Sequence, residues 1–289
     1  MILTSLNTSI TKMRAMDVCL SCGMAVALLL SGNLVAQTSA GDLQDGDYLL
    51  SVCNSLAPNT PRSDALRKVC RYAVTIPQRM PNFTCEQKTS RYLGDMAADE
   101  ITAVVTYEDG KESYRDVKSN GQPVSDPGLT RGTWSTGQFG ADVRNLFDTS
   151  NKVSFQFVNE SEIDGRRVLT FQYQVAQQKI PSWRLRVKDQ VAAPPYHGEL
   201  WIDEDKGLLR RLEVEATEIP QDFPMSSAEL QIDYLDVAFD DGTSFVLPVK
   251  SVGQRCQSTR GGDAQCAGVQ QLSQVQGNGA HRAAIITSL

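Results

Sequence analysis

Between Tyr196 and Ala216 the chain reads YHGELWIDEDKGLLRRLEVEA, two alternating runs joined by an acidic turn that ends in glycine. A period of two sends successive side chains to opposite faces, so each run is a strand with one buried and one wet side. Leu200 and Ile202 share one face, while Glu199, Trp201 and Asp203 share the other. Past the turn, Leu208, Leu212 and Val214 alternate with Leu209, Arg211, Glu213 and Glu215, and Arg210 interrupts the apolar face. The same unit recurs around Glu108-Asp109-Gly110, Asp164-Gly165 and Asp240-Asp241-Gly242. Acidic-Gly pairs between alternating runs are hairpin signals. In a chain built this way the sheet is antiparallel and most strand pairs are sequential neighbours. A parallel sheet would need near-continuous apolar strands separated by helices, and that pattern is missing.

The rest of the chain fits around this unit. Asp47 to Leu56 and Ser63 to Val74 read as helices, the second with Ser63 as N-cap, an apolar stripe of Ala65, Leu66, Val69, Cys70 and Ala73, and Pro77 bounding its end. Phe83 to Tyr92 reads as a polar, half-exposed strand, and Ile101 to Tyr107 and Glu112 to Val117 as the next two. Glycines open a loop from Ser125, and Ala141 to Phe147 reads as a short helix. Trp134 and Phe139 lie in that loop, either pinned to the core or forming a lid over a cavity. Alternation returns at Val153–Phe157, Leu169–Val175, Trp183–Val187, Leu230–Tyr234 and Phe245–Val249, with Pro248 expected on an exposed face or at a sheet edge. The expected fold class is α+β, mainly antiparallel β: a curled, unclosed, barrel-like sheet of about nine strands with N-terminal helices covering one face.

Lys12 and Arg14 precede an uncharged run whose most apolar part is Met24 to Leu30, followed by small residues at Ala36 and Ala40. That order is the signature of a secretory signal peptide. Met13 is an alternative start, and an uncleaved anchor is the rival reading. The expected division is 1–40 signal peptide, 41–80 helical segment, 81–271 antiparallel β domain and 272–289 flexible tail. An exported chain sits where disulfides form. Cys256 and Cys266 flank a Gly-Gly loop and make one expected pair. Cys53 with Cys70 and Cys70 with Cys85 are the two options for the remainder, the first preferred. A net charge of -6 argues against nucleic acid, whose phosphates require a basic face.

At Gly198-Glu199-Leu200-Trp201-Ile202-Asp203, followed by Gly207 and Arg210, the chain resembles the outer-membrane lipoprotein-sorting superfamily of LolA-like and LolB-like periplasmic carriers. It is also similar to a group of uncharacterised secreted bacterial proteins, through Pro81-Asn82-Phe83-Thr84-Cys85, Ser135-Thr136-Gly137-Gln138-Phe139, Phe223-Pro224, Asp233-Tyr234 and Leu247-Pro248. The resemblance covers roughly residues 81–249. It implies an unclosed barrel with helices in its mouth and an apolar cavity for acyl chains. None of the carriers' functional residues maps onto this sequence.

Catalytic chemistry finds little support. No GxSxG, Walker, GxGxxG or HExxH motif occurs, so no catalytic residue, cofactor or metal site is expected. Asp203, Glu204 and Asp205 lack the spacing of a calcium loop and read as a hairpin turn. His197 beside Glu199 reads as structural rather than as a base. Two functions stand foremost. One is an exported carrier of lipid or lipidated protein, with a cavity lined by Phe155, Phe171, Tyr173, Leu200, Ile202 and Leu212. The other is an exported interaction or scaffold module with a filled core, whose partner is another envelope protein. A hydrolase without a familiar motif ranks third.

Overall fold

A computed structural model of the chain describes residues 51–56, 60–93, 96–109, 111–124, 141–148, 153–176, 183–187, 190–239, 242–258, 264–276 and 283–285. The expected signal peptide and the loop carrying Trp134 and Phe139 lie outside these residues.

Helix α1 runs from Pro61 to Arg79, and its N-cap is Thr60, not Ser63. The Thr60 Oγ1 atom accepts the Ser63 N–H at 3.2 Å. Pro61 explains the earlier start: a first helical position needs no N–H partner, and the ring presets φ. The helix also passes position 77, ending only at Arg79 before the extended Met80. A proline in a last turn deprives one carbonyl of its bond without breaking the turns before it. The stripe Ala65, Leu66, Val69, Cys70 and Ala73 enters one buried cluster with strand residues, while Ile76 and Met80 enter a second.

Fourteen strands are present among the described residues, against about nine expected. Ten belong to runs or turns already outlined: β1 (Phe83–Leu93), β2 (Met96–Glu108), β3 (Lys111–Ser119), β5 (Ser154–Ile163), β6 (Arg166–Val175), β7 (Leu185–Val187), β9 (Tyr196–Asp203), β10 (Leu209–Ala216), β11 (Ser227–Phe239) and β12 (Ser244–Ser258). β4 (Gln122–Pro123) follows β3, and β7 with β8 (Gln190–Ala192) forms a separate two-stranded sheet. The short helix α2 (Ala141–Leu146) precedes β5. Beyond position 271 the described residues, 272–276 and 283–285, are strands rather than tail. β13 (Ala264–Gln276) continues to Gln276, and β14 (Ala283–Ile285) pairs with β11. The run QQLSQVQ carries few apolar residues, so no alternation marks it. Pairing to β1 and β12 defines it instead.

The large sheet has twelve strands in the order β4-β3-β2-β1-β13-β12-β11-β10-β9-β6-β5, with β14 off the path, and its pairings are antiparallel. Its order ends on β4 and β5, which leaves it unclosed. Asp164 (φ 50°) and Gly165 (φ 72°) make the β5–β6 turn, the positive-φ pair that a two-residue hairpin requires. One further expectation changes here. Pro248 is buried within β12, opposite Tyr234, where the β11–β12 register shifts between Asp233 and Tyr234. A bulge tolerates a residue that has no ladder donor. β1 is half exposed as expected, with Glu86 and Lys88 exposed on one face, and its buried face carries polar residues, Gln87, Thr89 and Arg91, along with Phe83 and Cys85.

A disulfide joins Cys53, in the helical segment at 51–55, to Cys70 of α1 across a separation of 17 residues. Cys85 remains a buried free thiol, which excludes the Cys70–Cys85 alternative. Cys256 is disulfide-bonded, and the register sets Cys266 directly opposite it. Replacing Cys53 and Cys70 together by alanine is expected to lower stability by roughly 3 kcal/mol, the chain-entropy value for a loop of this length. Urea unfolding of the two proteins measures it.

Candidate functional site

The helix–sheet interface is divided. The first cluster joins residues 65–74 of α1 to β6, β9, β10 and β11 and to Val246 of β12, and the second joins its carboxyl end to β1, β2, the far end of β11 and Leu247 of β12. Tyr72 packs against both. At this seam lies a cavity of about 20 Å³ walled by Val69, Ala73 and Ile76 of α1 and by Leu209, Tyr234 and Val246 of the sheet. That volume accommodates roughly one water molecule. Its walls are apolar, so nothing there would hold that water well.

Tyr72 fastens the helix at this point. The Val246 N–H donates to its hydroxyl at 2.8 Å. Burial pushes the phenol up to about 12, so it stays neutral at cellular pH. A second cavity of about 10 Å³ lies among Leu146, Tyr173, Trp183, Tyr196 and Leu212. A wider open cleft of about 530 Å³ lies elsewhere, where Pro194, Pro195, Pro220 and Phe223 meet Glu218 and Asp222.

The six residues expected to line a cavity gather in one region. Phe171, Tyr173, Leu200, Ile202 and Leu212 are buried in the first cluster, with Phe155 half-buried against it. They contact helix and sheet neighbours there, and of the six only Tyr173 and Leu212 touch either small apolar cavity. Of the seam residues, Val69 and Ala73 were legible as a helix face, whereas Ile76 lies past the expected end at Val74. Which strands that face meets is a tertiary fact with no local signal.

The conspicuous hairpin between β9 and β10 has a structural task. Asp203 Oδ1 accepts the backbone N–H groups of Asp205 (3.1 Å) and Lys206 (2.9 Å), which folds the turn. Its Oδ2 meets Arg210 at 3.1 Å, and the other arm of Arg210 meets Asp236 at 3.1 Å. Arg166 closes the ring at 3.3 Å from Asp236 and 3.7 Å from Asp203. The arginine that seemed to spoil the apolar face of β10 is thus the buried centre of an ion network. A β-carbon on Gly207 (φ 65°) would stand 2.3 Å from Lys68 Cβ, so the glycine also lets the turn abut α1. His197 pairs across the ladder with Glu215 at 3.4 Å, rather than with Glu199 beside it in sequence.

No family model matches the chain, and no curated protein matches it in sequence. Among solved structures it is similar to a LolA superfamily protein from Nitrosomonas europaea, at 11% identity and a TM-score of 0.34, covering 79% of this chain and 91% of that one. It is also similar to MucB, at 11% identity and a TM-score of 0.24, covering 76% of this chain and 94% of MucB.

Proposed function

We propose that this is an exported protein of the cell envelope that binds an apolar ligand, a lipid or the lipid group of a protein, between α1 and the sheet. The observation that carries the reading is the divided interface. An apolar cavity sits on a seam between two separate clusters, under a helix held at that point by one tyrosine. The small volume means that binding is coupled to outward movement of α1, whose amino-terminal half stays tied to the segment at 51–55 by the Cys53–Cys70 bridge. That bridge also fits an oxidising compartment. Among the described residues no helix is long and apolar enough to cross a membrane.

The reading is of binding rather than catalysis. The Cys85 thiol is pushed up to about 12 by burial and by Glu112, which keeps it from acting as a thiolate. A second reading, an interaction module with a filled interior, draws on the small size of the two apolar cavities.

Native mass spectrometry of the protein purified from its own envelope, followed by lipid extraction, separates the two. A co-purifying lipid is expected; its absence, with no uptake of decanol by the purified protein, removes the carrier reading. The Tyr72→Phe variant is expected to lose about 1–2 kcal/mol of stability through the orphaned Val246 N–H. It should bind decanol roughly fivefold more tightly or better, because opening the seam costs less. Weaker binding by this variant would argue against helix movement.

A further inference from the structure

The face of β1 that meets the helix changes character along its length. Phe83 and Cys85 belong to the second apolar cluster, beside Ile76 and Met80 of α1. The same face then presents Gln87, Thr89 and Arg91, which are 2%, 0% and 2% exposed. On β12, two strands away across β13, the matching positions are Ser251, in the row of Thr89 through position 271, and Arg255, in the row of position 93 through position 267. The buried polar set thus continues directly from the apolar cluster.

Much of this set lacks partners. Both amide atoms of Gln87, the Thr89 hydroxyl and the Arg255 Nε are buried with no hydrogen bond among the described residues. Each such group forfeits its hydration for nothing in return, and folded proteins seldom keep several together unless something else completes them. Arg91 is engaged, its guanidinium forked onto the Asp99 carboxylate of β2, which also receives the Ser119 hydroxyl at 3.4 Å. Arg255 has no such counter-ion among the described residues. Burial and the nearby Arg91 both pull its pKa down, so its charge is held at a cost. Two guanidinium cations against one carboxylate leave the group positive by one charge. The unmade bonds are mostly donors: an arginine N–H, an amide NH₂ and a hydroxyl. Donors around an excess positive charge suit an anionic oxygen group.

We propose that Gln87, Thr89 and Arg255, oriented beside the Arg91–Asp99 pair and Ser251, hold the anionic head of an amphiphile, a carboxylate or a phosphate, whose chain lies toward the helix–sheet seam. The placement of the chain rests on the apolar-ligand reading above. From Phe83 to Arg91 the strand rises roughly 26 Å, which leaves length for a chain beside the head. Arg91 is a positioning residue, since Asp99 already fixes it. Arg255 supplies the charge that the ligand meets.

The test uses the intact chain and titration calorimetry with decanoate, decyl phosphate, decanol and inorganic phosphate, the amphiphiles below their micelle concentrations. Decanoate and decyl phosphate are expected to bind at least tenfold more tightly than decanol, the usual size of a charge-assisted hydrogen bond. Gln87→Met and Thr89→Val should each narrow that gap severalfold, since the Arg255 charge remains. Both should also raise the melting temperature of the ligand-free protein, because each removes an unpaired buried group without changing its size much. A purely structural role would lower it. Equal binding of charged and neutral amphiphiles overturns the head site and leaves the apolar reading standing. Failure of all three amphiphiles overturns both. Inorganic phosphate binding as tightly as decyl phosphate overturns the amphiphile, and a gap left unchanged by both variants overturns the residue assignment.

Discussion

Gly198→Ala is expected to cost roughly 4 kcal/mol or more, at the extreme of single substitutions. A β-carbon at this position would stand 1.8 Å from the Glu213 carbonyl oxygen, 2.6 Å from its carbon and 2.9 Å from the Tyr173 hydroxyl. The first two are backbone atoms of the adjacent strand and have no rotamer to escape into. Gly198 lies in β9 directly opposite Tyr173 of β6. The tyrosine hydroxyl crosses β9 and donates to the Glu213 carbonyl of β10 at 2.7 Å. One methyl group therefore disturbs three strands: it separates β9 from β10 and unseats the hydrogen bond that ties β6 across them. Urea unfolding should show a midpoint shift of this size, or a chain that does not accumulate folded. A loss under about 1 kcal/mol would mean that the strands part without resistance, contrary to the packing of an interior.

Arg210→Ala is the second large effect. It leaves the Asp203 and Asp236 carboxylates, both little exposed, with only the half-exposed Arg166. Removing one partner of a buried ionic group costs roughly 3–5 kcal/mol, because the charges left behind have lost their counter-ion and not their burial. Asp203 also holds the turn through two backbone N–H groups, so the hairpin should loosen along with the network. Arg210→Lys should recover only part of the loss, since one ammonium cannot fork to two carboxylates. Arg166→Ala, at the wet margin, should cost about 1 kcal/mol or less. Denaturant titrations of the three variants check this order. A small effect of Arg210→Ala would mean that water reaches the carboxylates.

The class of fold was legible because a period of two is local. Each alternating run around an acidic-Gly turn became a strand, and the Asp164–Gly165 hairpin follows from residue type alone. What escaped was set by distant chain. β13 carries glutamines where an apolar face would announce a strand, and only its neighbours β1 and β12 define it. Pro248 looked like an edge residue until the shift opposite it in β11 relieved the ladder. Arg210 looked like a blemish because Asp236, its second partner, lies 26 residues on. β1 was read as half exposed, but polarity on both faces of a strand carries no sign of which face is covered, so the burial of Gln87, Thr89 and Arg91 was not legible. The apolar half of the candidate site was thus visible as helix stripe and strand alternation. Its polar half, and the strands under the helix, were not.

The pairing of β1 with β13 has a kinetic consequence. Thr84 meets Gln276, so the first long strand completes its neighbours only when nearly the last has been made. Through synthesis β1 can pair on its β2 side alone, and its other edge waits through more than a hundred and fifty residues of chain. Contacts of such separation slow folding, since the entropy of loop closure is lost before the contact forms. The strands from β5 to β12 are mostly neighbours in sequence and can zip early. The junction of β1, β13 and β12 forms last, and with it the row from Thr89 to Ser251. This chain buries its polar row at the end of folding, so partly made molecules hold their hairpins before Thr89 and Ser251 come into line.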